Sequence, residues 1–218
     1  MIRVEDLEYQ WPGSKAPLLR LPRFELKPGE KVFVHGRSGS GKSTLLNLLT
    51  GILPIDQGQI HLLDQPFSEQ SSRSQDRFRA DHIGLIFQQF NLVPYLTALE
   101  NVELPLRFSK RRQNKADLPA SELLQLMGLP TEAIHRKPED LSIGQQQRVA
   151  AARALIGQPE LIFADEPTSA LDSHSAQQFL APLFEQSQKC GTGILFVSHD
   201  RALEKYFDRS FDLEEANQ

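Results

Sequence analysis

The chain has 218 residues, of which 39% are hydrophobic and 24% are charged, and its formal net charge is -4. This length suits one large domain or two small ones, and the acidic balance excludes an overall basic field that would favour nucleic acid. The single cysteine, Cys190, excludes an internal disulfide and a cysteine-based zinc cluster, which fits a reducing compartment.

The sequence pattern also disfavours a secreted protein and a membrane-spanning protein. Residues 1–6 do not resemble a signal peptide, and no stretch approaches the roughly 20 apolar residues that span a bilayer. We therefore expect a soluble protein, for which any attachment to a membrane would be through a partner. Cys190 is interpreted as a partly buried structural residue rather than a catalytic thiol, because no constellation of histidine and asparagine accompanies it.

Strand patterns dominate the first part of the chain. Apolar or alternating runs at 2–4, 18–26 and 32–34 predict strands, the second as part of an antiparallel pair. Leucines at helical spacing predict a helix over 44–49, and Gly51 stands where its C-terminus would be capped. Strands are also predicted at 58–62 and 83–87, with a polar surface helix or loop at 68–81 between them.

The sequence GRSGSGKS at residues 36–43 lies between a predicted strand and a predicted helix. It fits G-x-x-x-x-G-K-[ST], the phosphate-binding loop, and this context disfavours a glycine-rich turn that matches by chance. Its glycines let several N–H groups point at one anion, and the helix N-terminus adds unpaired donors. Lys42 brings a charge to the outer phosphates, and the Ser43 hydroxyl can bind Mg²⁺. The predicted nucleotide contacts of the loop are Gly36, Ser38, Gly39, Ser40, Gly41, Lys42, Ser43 and Thr44.

Helical patterns replace strands over residues 91–157. Thr97 and Glu100 have the spacing of a capping box, and residues 119–127 predict a further helix that ends near Gly128. A basic cluster, defined by Lys110, Arg111, Arg112 and Lys115, is interpreted as a solvated linker, with lipid headgroups or an acidic partner as the alternative.

The last part of the chain returns to alternating strands and helices. Buried strands are predicted at 161–164, 193–197 and 211–213. The fold class is therefore α/β: a P-loop NTPase core with a mostly parallel sheet, an N-terminal antiparallel β subdomain and an inserted α-helical subdomain. We expect one domain, residues 1–218, with 1–90 and 158–218 as the core with its β subdomain and 91–157 as the helical subdomain.

Polar side chains follow several of the buried strands. In a protein with a phosphate loop, Asp165 at a strand end is expected to hold Mg²⁺, and Glu166 to polarise the water that attacks the γ-phosphate. The Gln88 amide could complete the Mg²⁺ shell and touch this water, and the His199 imidazole can donate to a γ-phosphate oxygen. The alternative for each, a solvated residue at a strand end, is disfavoured by the phosphate loop.

A second anion site is predicted where a helix opens near Ser142. Ser142 is a good N-cap, and Gly144 permits close approach of the backbone. One fold need not bring this helix to the phosphate loop. A head-to-tail pair of chains could hold each nucleotide between the loop of one chain and this helix of the other.

Together these residues closely resemble the ATP-binding subunit of an ABC transporter, in that family's motif order and over nearly the whole chain. The resemblance implies that residues 36–43 are the Walker A loop and that Gln88 lies in the Q-loop. Residues 141–145 are similar to the signature motif, and residues 161–165 to Walker B. Glu166 is then the general base.

The resemblance also covers three further positions. Residues 169–172 resemble the D-loop, and His199 resembles the switch histidine. Trp11 aligns with the aromatic residue that stacks on adenine, and Tyr9 is the alternative. The implied nucleotide contacts outside the phosphate loop are Trp11, Gln88, Ser142, Gly144, Gln145, Asp172 and His199. The implied catalytic residues are Lys42, Gln88, Glu166 and His199, and the implied Mg²⁺ ligands are Ser43, Gln88 and Asp165.

One residue departs from the family pattern L-S-G-G-Q, because Ile143 replaces the first glycine. A β-branched residue does not easily adopt positive φ, so the backbone is expected to have negative φ at this position. Ser142 and Gly144, which would face the γ-phosphate, are retained.

The resemblance implies an ATP hydrolase that powers a membrane permease as a head-to-tail homodimer, with ATP and Mg²⁺, at the cytoplasmic face and without nucleic acid. Residues 89–102 resemble the lipoprotein-release, macrolide-export and cell-division ATPases, which implies an exporter or a mechanotransmitting system. A soluble ABC ATPase of DNA repair would carry a long coiled coil in the helical insert, and this insert is far too short for one. A translation-associated ABC protein normally has two such domains in one chain, whereas one is found here. An ATP-binding module without turnover is disfavoured by Lys42, Asp165, Glu166 and His199.

Overall fold

Nine strands form two sheets in residues 1–217, the part of the chain that the computed structural model describes. The first sheet is antiparallel, with the order β2-β1-β4-β5, and the second is parallel, with the order β6-β7-β8-β3-β9. The strands are β1 (Ile2–Tyr9), β2 (Leu19–Leu26), β3 (Lys31–His35), β4 (Gln57–Leu62), β5 (Gln65–Pro66), β6 (Ile83–Ile86), β7 (Leu161–Asp165), β8 (Gly193–Val197) and β9 (Arg209–Asp212).

Eight α-helices accompany these strands in the same residues, and four of them, α3 to α6, lie between β6 and β7. The helices are α1 (Lys42–Leu49), α2 (Ser72–His82), α3 (Ala98–Phe108), α4 (Lys110–Lys115), α5 (Ala120–Leu126), α6 (Ile143–Leu155), α7 (Ser173–Cys190) and α8 (Leu213–Ala216). Within residues 1–217, none of the helices has the length and apolar character needed to cross a membrane.

The predicted α/β fold class is confirmed, and local signals placed most elements correctly. The capping box of Thr97 and Glu100 opens α3, and Gly51 follows the end of α1 with a φ of 66°. The segment at 68–81 contains helix α2 rather than a loop, and β9 ends at Asp212 because Leu213 begins α8.

The parallel sheet is buried on both faces. Along β3, Phe33 packs into the core that contains α6 and α7, whereas Val32 and Val34 pack into the core shared with α1 and the antiparallel sheet. Successive side chains of a strand point to opposite faces, so an all-apolar strand needs a cover on each side. Because β3, β6, β7 and β8 run parallel, their carboxyl ends open along one edge of the sheet.

The interpretation of the basic cluster as a solvated linker is wrong, because its residues form α4 and bind within the chain. Arg112 is buried and donates to the carbonyl oxygens of Ile156 at 2.8 Å, Ala154 at 2.7 Å and Ile83 at 3.4 Å. Burial lowers the pKa of Arg112 to about 10, which leaves the guanidinium charged at neutral pH.

Two other members of the cluster, Arg111 and Lys115, bind one carboxylate just before β7. Glu160 accepts hydrogen bonds from Arg111 at 2.5 Å and Lys115 at 2.7 Å, and its second oxygen lies 2.9 Å from Nδ1 of His82. Burial alone would raise the pKa of Glu160, but these bonds hold it well below its usual range. Three of the four residues of the cluster therefore have partners within the chain.

Cys190 is exposed at the end of α7, so the predicted partial burial is also wrong. The helix is amphipathic, and its last residues, Gln188 to Cys190, lie on its solvent side.

Candidate functional site

A cleft of about 640 Å³ lies at the carboxyl edge of the parallel sheet, within the size range of small-molecule sites. It joins predicted residues from the phosphate loop, from the segment after β6 and from the ends of β7 and β8. The lining residues are Trp11, Leu18, Ser38, Gly39, Gly41, Lys42, Ser43, Thr44, Gln88, Glu166 and His199.

The phosphate loop has a backbone that requires its glycines. Gly39 and Gly41 have φ values of 81° and 95°, and a β-carbon on Gly41 would lie 2.8 Å from Leu19 Cδ2. Lys42 is buried, and its Nζ donates to the carbonyl oxygens of Gly36 at 2.9 Å and Arg37 at 3.0 Å. No side chain caps α1 among the residues described, which leaves the N–H groups of its first turn for an anion.

Gly36 and Ser40 lie behind this cleft and do not line it. A β-carbon on Gly36 would meet Ser40 Oγ at 2.6 Å, so Gly36 leaves room for that hydroxyl. Ser40 lies on a neighbouring cleft beside Arg37 and Glu214.

Two predicted magnesium ligands already meet in the structure. The Ser43 hydroxyl donates to Oδ1 of Asp165 at 3.0 Å, and Gln88 lines the same cleft. Burial, and to a smaller extent the charge of Glu166, raise the pKa of Asp165, while Ser43 and Lys42 act in the opposite direction. Hydroxyl, carboxylate and amide oxygens are donors that suit Mg²⁺, so these residues fit the ion.

Magnesium sites commonly use one or two carboxylates and complete the shell with substrate phosphates and water. In residues 1–217 there is no group of three or more His, Cys, Asp or Glu side chains that could hold a metal without such help. The arrangement therefore suits an ion that arrives with a nucleotide.

Glu166 and His199 form a pair at the ends of β7 and β8. His199 Nδ1 lies 2.8 Å from Glu166 Oε2, and the side chains are 64% and 12% exposed, respectively. Glu166 has a φ of 46°, and its N–H donates to Val197 O at 2.9 Å. Such left-handed backbone at a non-glycine residue costs energy and is concentrated at functional sites. The imidazole thus faces the open cleft while the carboxylate is fixed behind it.

Trp11 and Tyr9, the two candidates for the adenine-stacking residue, occupy different environments. Trp11 is 45% exposed and lines the cleft, whereas Tyr9 is 4% exposed. The two rings meet edge to face with centroids 5.3 Å apart, so Tyr9 supports Trp11 from behind.

The helix N-terminus that was predicted as a second anion site carries a capping box and lies apart from the cleft. Ser142 caps α6, because its hydroxyl oxygen accepts the backbone N–H of Gln145 at 3.3 Å. The side-chain oxygen of Gln145 in turn accepts the backbone N–H of Ser142 at 2.9 Å. A β-carbon on Gly144 would meet nothing within 4 Å in the described residues. Ile143 is the first residue of α6 and 56% exposed, in agreement with the expected negative φ.

Asp172 also lies outside the lining of the cleft. It caps α7 by accepting the N–H of Ser175 at 2.9 Å, and this bond lowers the pKa of Asp172. Within one chain, Ser142, Gly144, Gln145 and Asp172 do not join the phosphate loop, as the idea of a head-to-tail pair requires.

Sequence reasoning missed two residues of this region. Leu18 lines the cleft beside Trp11 because its N–H pairs with Tyr9 O at 2.9 Å, a contact set by strand pairing. Arg153 of α6 donates to the carbonyl oxygens of Phe90 at 2.5 Å and Asn91 at 2.6 Å, just after Gln88. No local pattern indicates either contact, because each joins segments through tertiary structure.

Comparisons with known proteins cover most of the chain. Residues 19–169 match the family model described as ABC transporter. The lipoprotein-releasing system ATP-binding protein LolD of Hydrogenovibrio crunogenus is 43% identical over 212 residues, which is 97% of this chain and 92% of that protein. LolD of Francisella tularensis is 40% identical over 197 residues, or 90% of this chain and 85% of that protein.

A solved structure shows the same similarity in three dimensions. The ATP-binding cassette MJ0796, in a dimeric post-hydrolysis state bound to ADP and Pi, is 35% identical with a TM-score of 0.86. The match covers 98% of this chain and 94% of that one, so it includes both sheets and the helices between them.

Proposed function

The chain belongs to the ABC transporter family as an ATP-binding and ATP-hydrolysing subunit, and we propose that it powers a permease that releases lipoproteins. The names of its LolD relatives support this cargo. The observation that carries the proposed mechanism is one cleft lined by the phosphate loop and by the Glu166–His199 pair. Ser43 lines the same cleft and donates to Asp165.

ATP would lie with its base on Trp11 and its phosphates in the loop. The open face of Trp11 offers stacking, and Lys42 and the free N–H groups of α1 offer positive charge to the phosphates. Ser43, Asp165 and Gln88 would hold Mg²⁺. Bound there, this ion would offset the negative charge of the outer phosphates.

Hydrolysis would use the carboxylate and imidazole that already form a pair. Glu166 would accept a proton from water as that water attacks the γ-phosphorus, while Gln88 helps to orient the water. The bond between the γ-phosphorus and the β–γ bridging oxygen would break, and ADP would leave with its electron pair. The carboxylate of Glu166 can only accept, so it takes the Nδ1–H of His199. Nε2 would then donate to a γ-phosphate oxygen in the imidazolium form of the ring, in which both nitrogens carry a proton. Positioning and electrostatic stabilisation would supply most of the rate, as in other phosphoryl transfers.

We propose that two chains close head to tail on two nucleotides. The separation of α6 from the cleft within one chain supports this arrangement, as does the dimeric state named for MJ0796. Each γ-phosphate would then meet Ser142 and Gly144 of the second copy, and Gln145 and Asp172 would lie at the same junction.

The permease would bind the helical subdomain, residues 91–157, and the groove beside it. Tyr95 is 75% exposed just before α3, and Ile52 is 49% exposed after α1, so two large apolar side chains are available to a partner. A cytoplasmic helix of the permease with complementary apolar residues would place this subunit at the cytoplasmic face of the membrane.

Replacing Trp11 with alanine is expected to weaken ATP binding about tenfold, because stacking of a base on an aromatic ring contributes about 1–3 kcal/mol. The ring lies away from the reacting phosphate, so kcat should change less than KM. Equilibrium dialysis with labelled ATP and steady-state kinetics measure both effects. Phe108→Ala, which removes an aromatic ring that is 74% exposed outside the cleft, is the control. A loss on Tyr9→Ala but not on Trp11→Ala would move the stacking role to Tyr9.

The transport proposal is tested by capture of the tagged chain from detergent-solubilised membranes of its host, with and without non-hydrolysable ATP. Mass spectrometry is expected to find one multi-pass protein at comparable abundance. The reconstituted pair should release lipoprotein from vesicles only with hydrolysable ATP. Capture of soluble proteins alone, with ATPase activity intact, would contradict the transport role.

A further inference from the structure

The short helix α8 lies beside the start of the phosphate loop. Asp212 caps this helix by accepting the N–H of Glu214 at 2.9 Å and of Glu215 at 3.4 Å. Leu213 is buried, and its Cβ lies 3.7 Å from the position that a β-carbon on Gly36 would take. Burial of Leu213 therefore fixes α8 against the residue at which the loop begins.

Glu214 holds the loop directly. Its Oε1 accepts the backbone N–H of Arg37 at 2.5 Å. The carbonyl oxygens of Gly36 and Arg37 are held from the other side by Lys42 Nζ at 2.9 Å and 3.0 Å. The first peptide units of the loop are thus held by the Glu214 carboxylate, which accepts the N–H, and by the Lys42 ammonium, which donates to the carbonyl oxygens. All of these hydrogen bonds involve a charged group and are therefore charge-assisted.

The same short segment also binds the wall that carries the base. The side chain of Asn217 donates to Leu18 O at 2.9 Å and accepts the backbone N–H of Arg20. Leu18 lines the cleft next to Trp11, and its Cγ lies 3.3 Å from the position of a β-carbon on Gly41. One turn of chain therefore connects the phosphate loop to the beginning of β2.

We propose that Glu214 and Asn217, here named the α8 clamp, are positioning residues for ATP that hold the phosphate loop at a set distance from the Trp11 wall. The inference rests on the proposed role of the phosphate loop. A loop that is ordered before ATP arrives loses less conformational freedom on binding. Because Glu214 does not line the cleft with Glu166 and His199, its effect should fall on affinity and not on the bound step.

The test uses the intrinsic fluorescence of Trp11, the single tryptophan of the chain, during ATP titration of the full-length protein. Glu214→Ala is expected to raise Kd and KM for ATP about three- to tenfold, the scale of one ordinary hydrogen bond, because the bond from the Arg37 N–H is solvent-exposed. The kcat should stay near that of the parent. Glu214→Gln keeps an oxygen acceptor for the Arg37 N–H and should recover most of the affinity. Glu215→Ala, which removes the adjacent exposed carboxylate, is the matched control.

Competition by tripolyphosphate, which has no base, separates the two arms of the clamp. Glu214→Ala should weaken ATP and tripolyphosphate alike, because its defect lies at the loop. Asn217→Ala should weaken ATP more than tripolyphosphate, because its defect lies at the base wall. Parent-like Kd values for both variants, or equal losses in Glu214→Ala, Glu214→Gln and Glu215→Ala, would overturn the clamp.

Lys42→Ala distinguishes this failure from failure of the site itself. If Lys42→Ala removes the fluorescence response to ATP while Glu214→Ala binds like the parent, only the clamp is wrong. If Lys42→Ala still responds like the parent, the proposed role of the phosphate loop fails and the clamp fails with it.

Discussion

Replacing Glu166 with glutamine is expected to lower ATP turnover by about 10²–10⁴-fold, the usual contribution of a general base, while ATP binding persists. The amide has nearly the same shape as the carboxylate but cannot accept the proton of the attacking water. The left-handed backbone at this position, with a φ of 46°, is held by the bond to Val197 and not by the side chain, so the loop should keep its form.

Blocked hydrolysis should leave ATP between the two copies, and the Glu166→Gln protein should therefore accumulate as a dimer with ATP. Phosphate release measures turnover, and light scattering after size exclusion measures the dimer. Glu122→Gln makes the same chemical change on the exposed side of α5 and should behave like the parent. Unchanged turnover in Glu166→Gln would remove Glu166 from the role of base.

Replacing Gly144 with alanine is expected to lower turnover about 100-fold or more without harming the folded chain, the scale seen when donors to a reacting oxyanion are lost. A β-carbon here meets nothing within 4 Å among residues 1–217 of a single chain. In a helix, however, the Cα–Cβ bond tilts toward the N-terminus. The added methyl group would therefore project in front of α6, into the space proposed for the γ-phosphate of the second copy.

Gly144→Ala should lower activity without lowering the stability of the fold. Alanine is favoured over glycine in a helix by up to about 1 kcal/mol, so the thermal midpoint should stay level or rise. ATP binding to the cleft of the same chain, measured through Trp11, should persist. Dimer formation in a Glu166→Gln background should be lost. Parent-like turnover would contradict the role of Gly144, and a large fall in the thermal midpoint would indicate a role in folding instead.

Local patterns predicted the parts of this fold that depend on neighbouring residues. A buried strand such as β7 must be apolar on both faces, and the capping boxes at Thr97 and Ser142 use contacts three residues apart. The phosphate loop was equally readable, because its glycines and lysine act within one turn of chain. These features need no knowledge of the rest of the molecule.

The basic cluster shows where such patterns stop being informative. A run of four positive side chains within six residues has the same local appearance in a solvated linker as in α4. Its carbonyl and carboxylate partners lie at Ile83 and in residues 154–160, between 29 and 49 positions away. Cys190 was misjudged for a related reason, since exposure at the end of α7 depends on which face of the helix meets the core.

Short-range patterns in the sequence predicted the chemical groups of this protein: a phosphate loop, carboxylates after buried strands, and a capped helix proposed to meet an anion. The relation of these parts in space depends on tertiary packing. Parallel pairing of β7 and β8 brings Glu166 to His199, and the pairing of β1 with β2 brings Leu18 beside Trp11. Burial of Leu213 carries Glu214 to Arg37, 177 positions away in the chain. Such contacts arise from packing between distant segments, which no short-range pattern encodes.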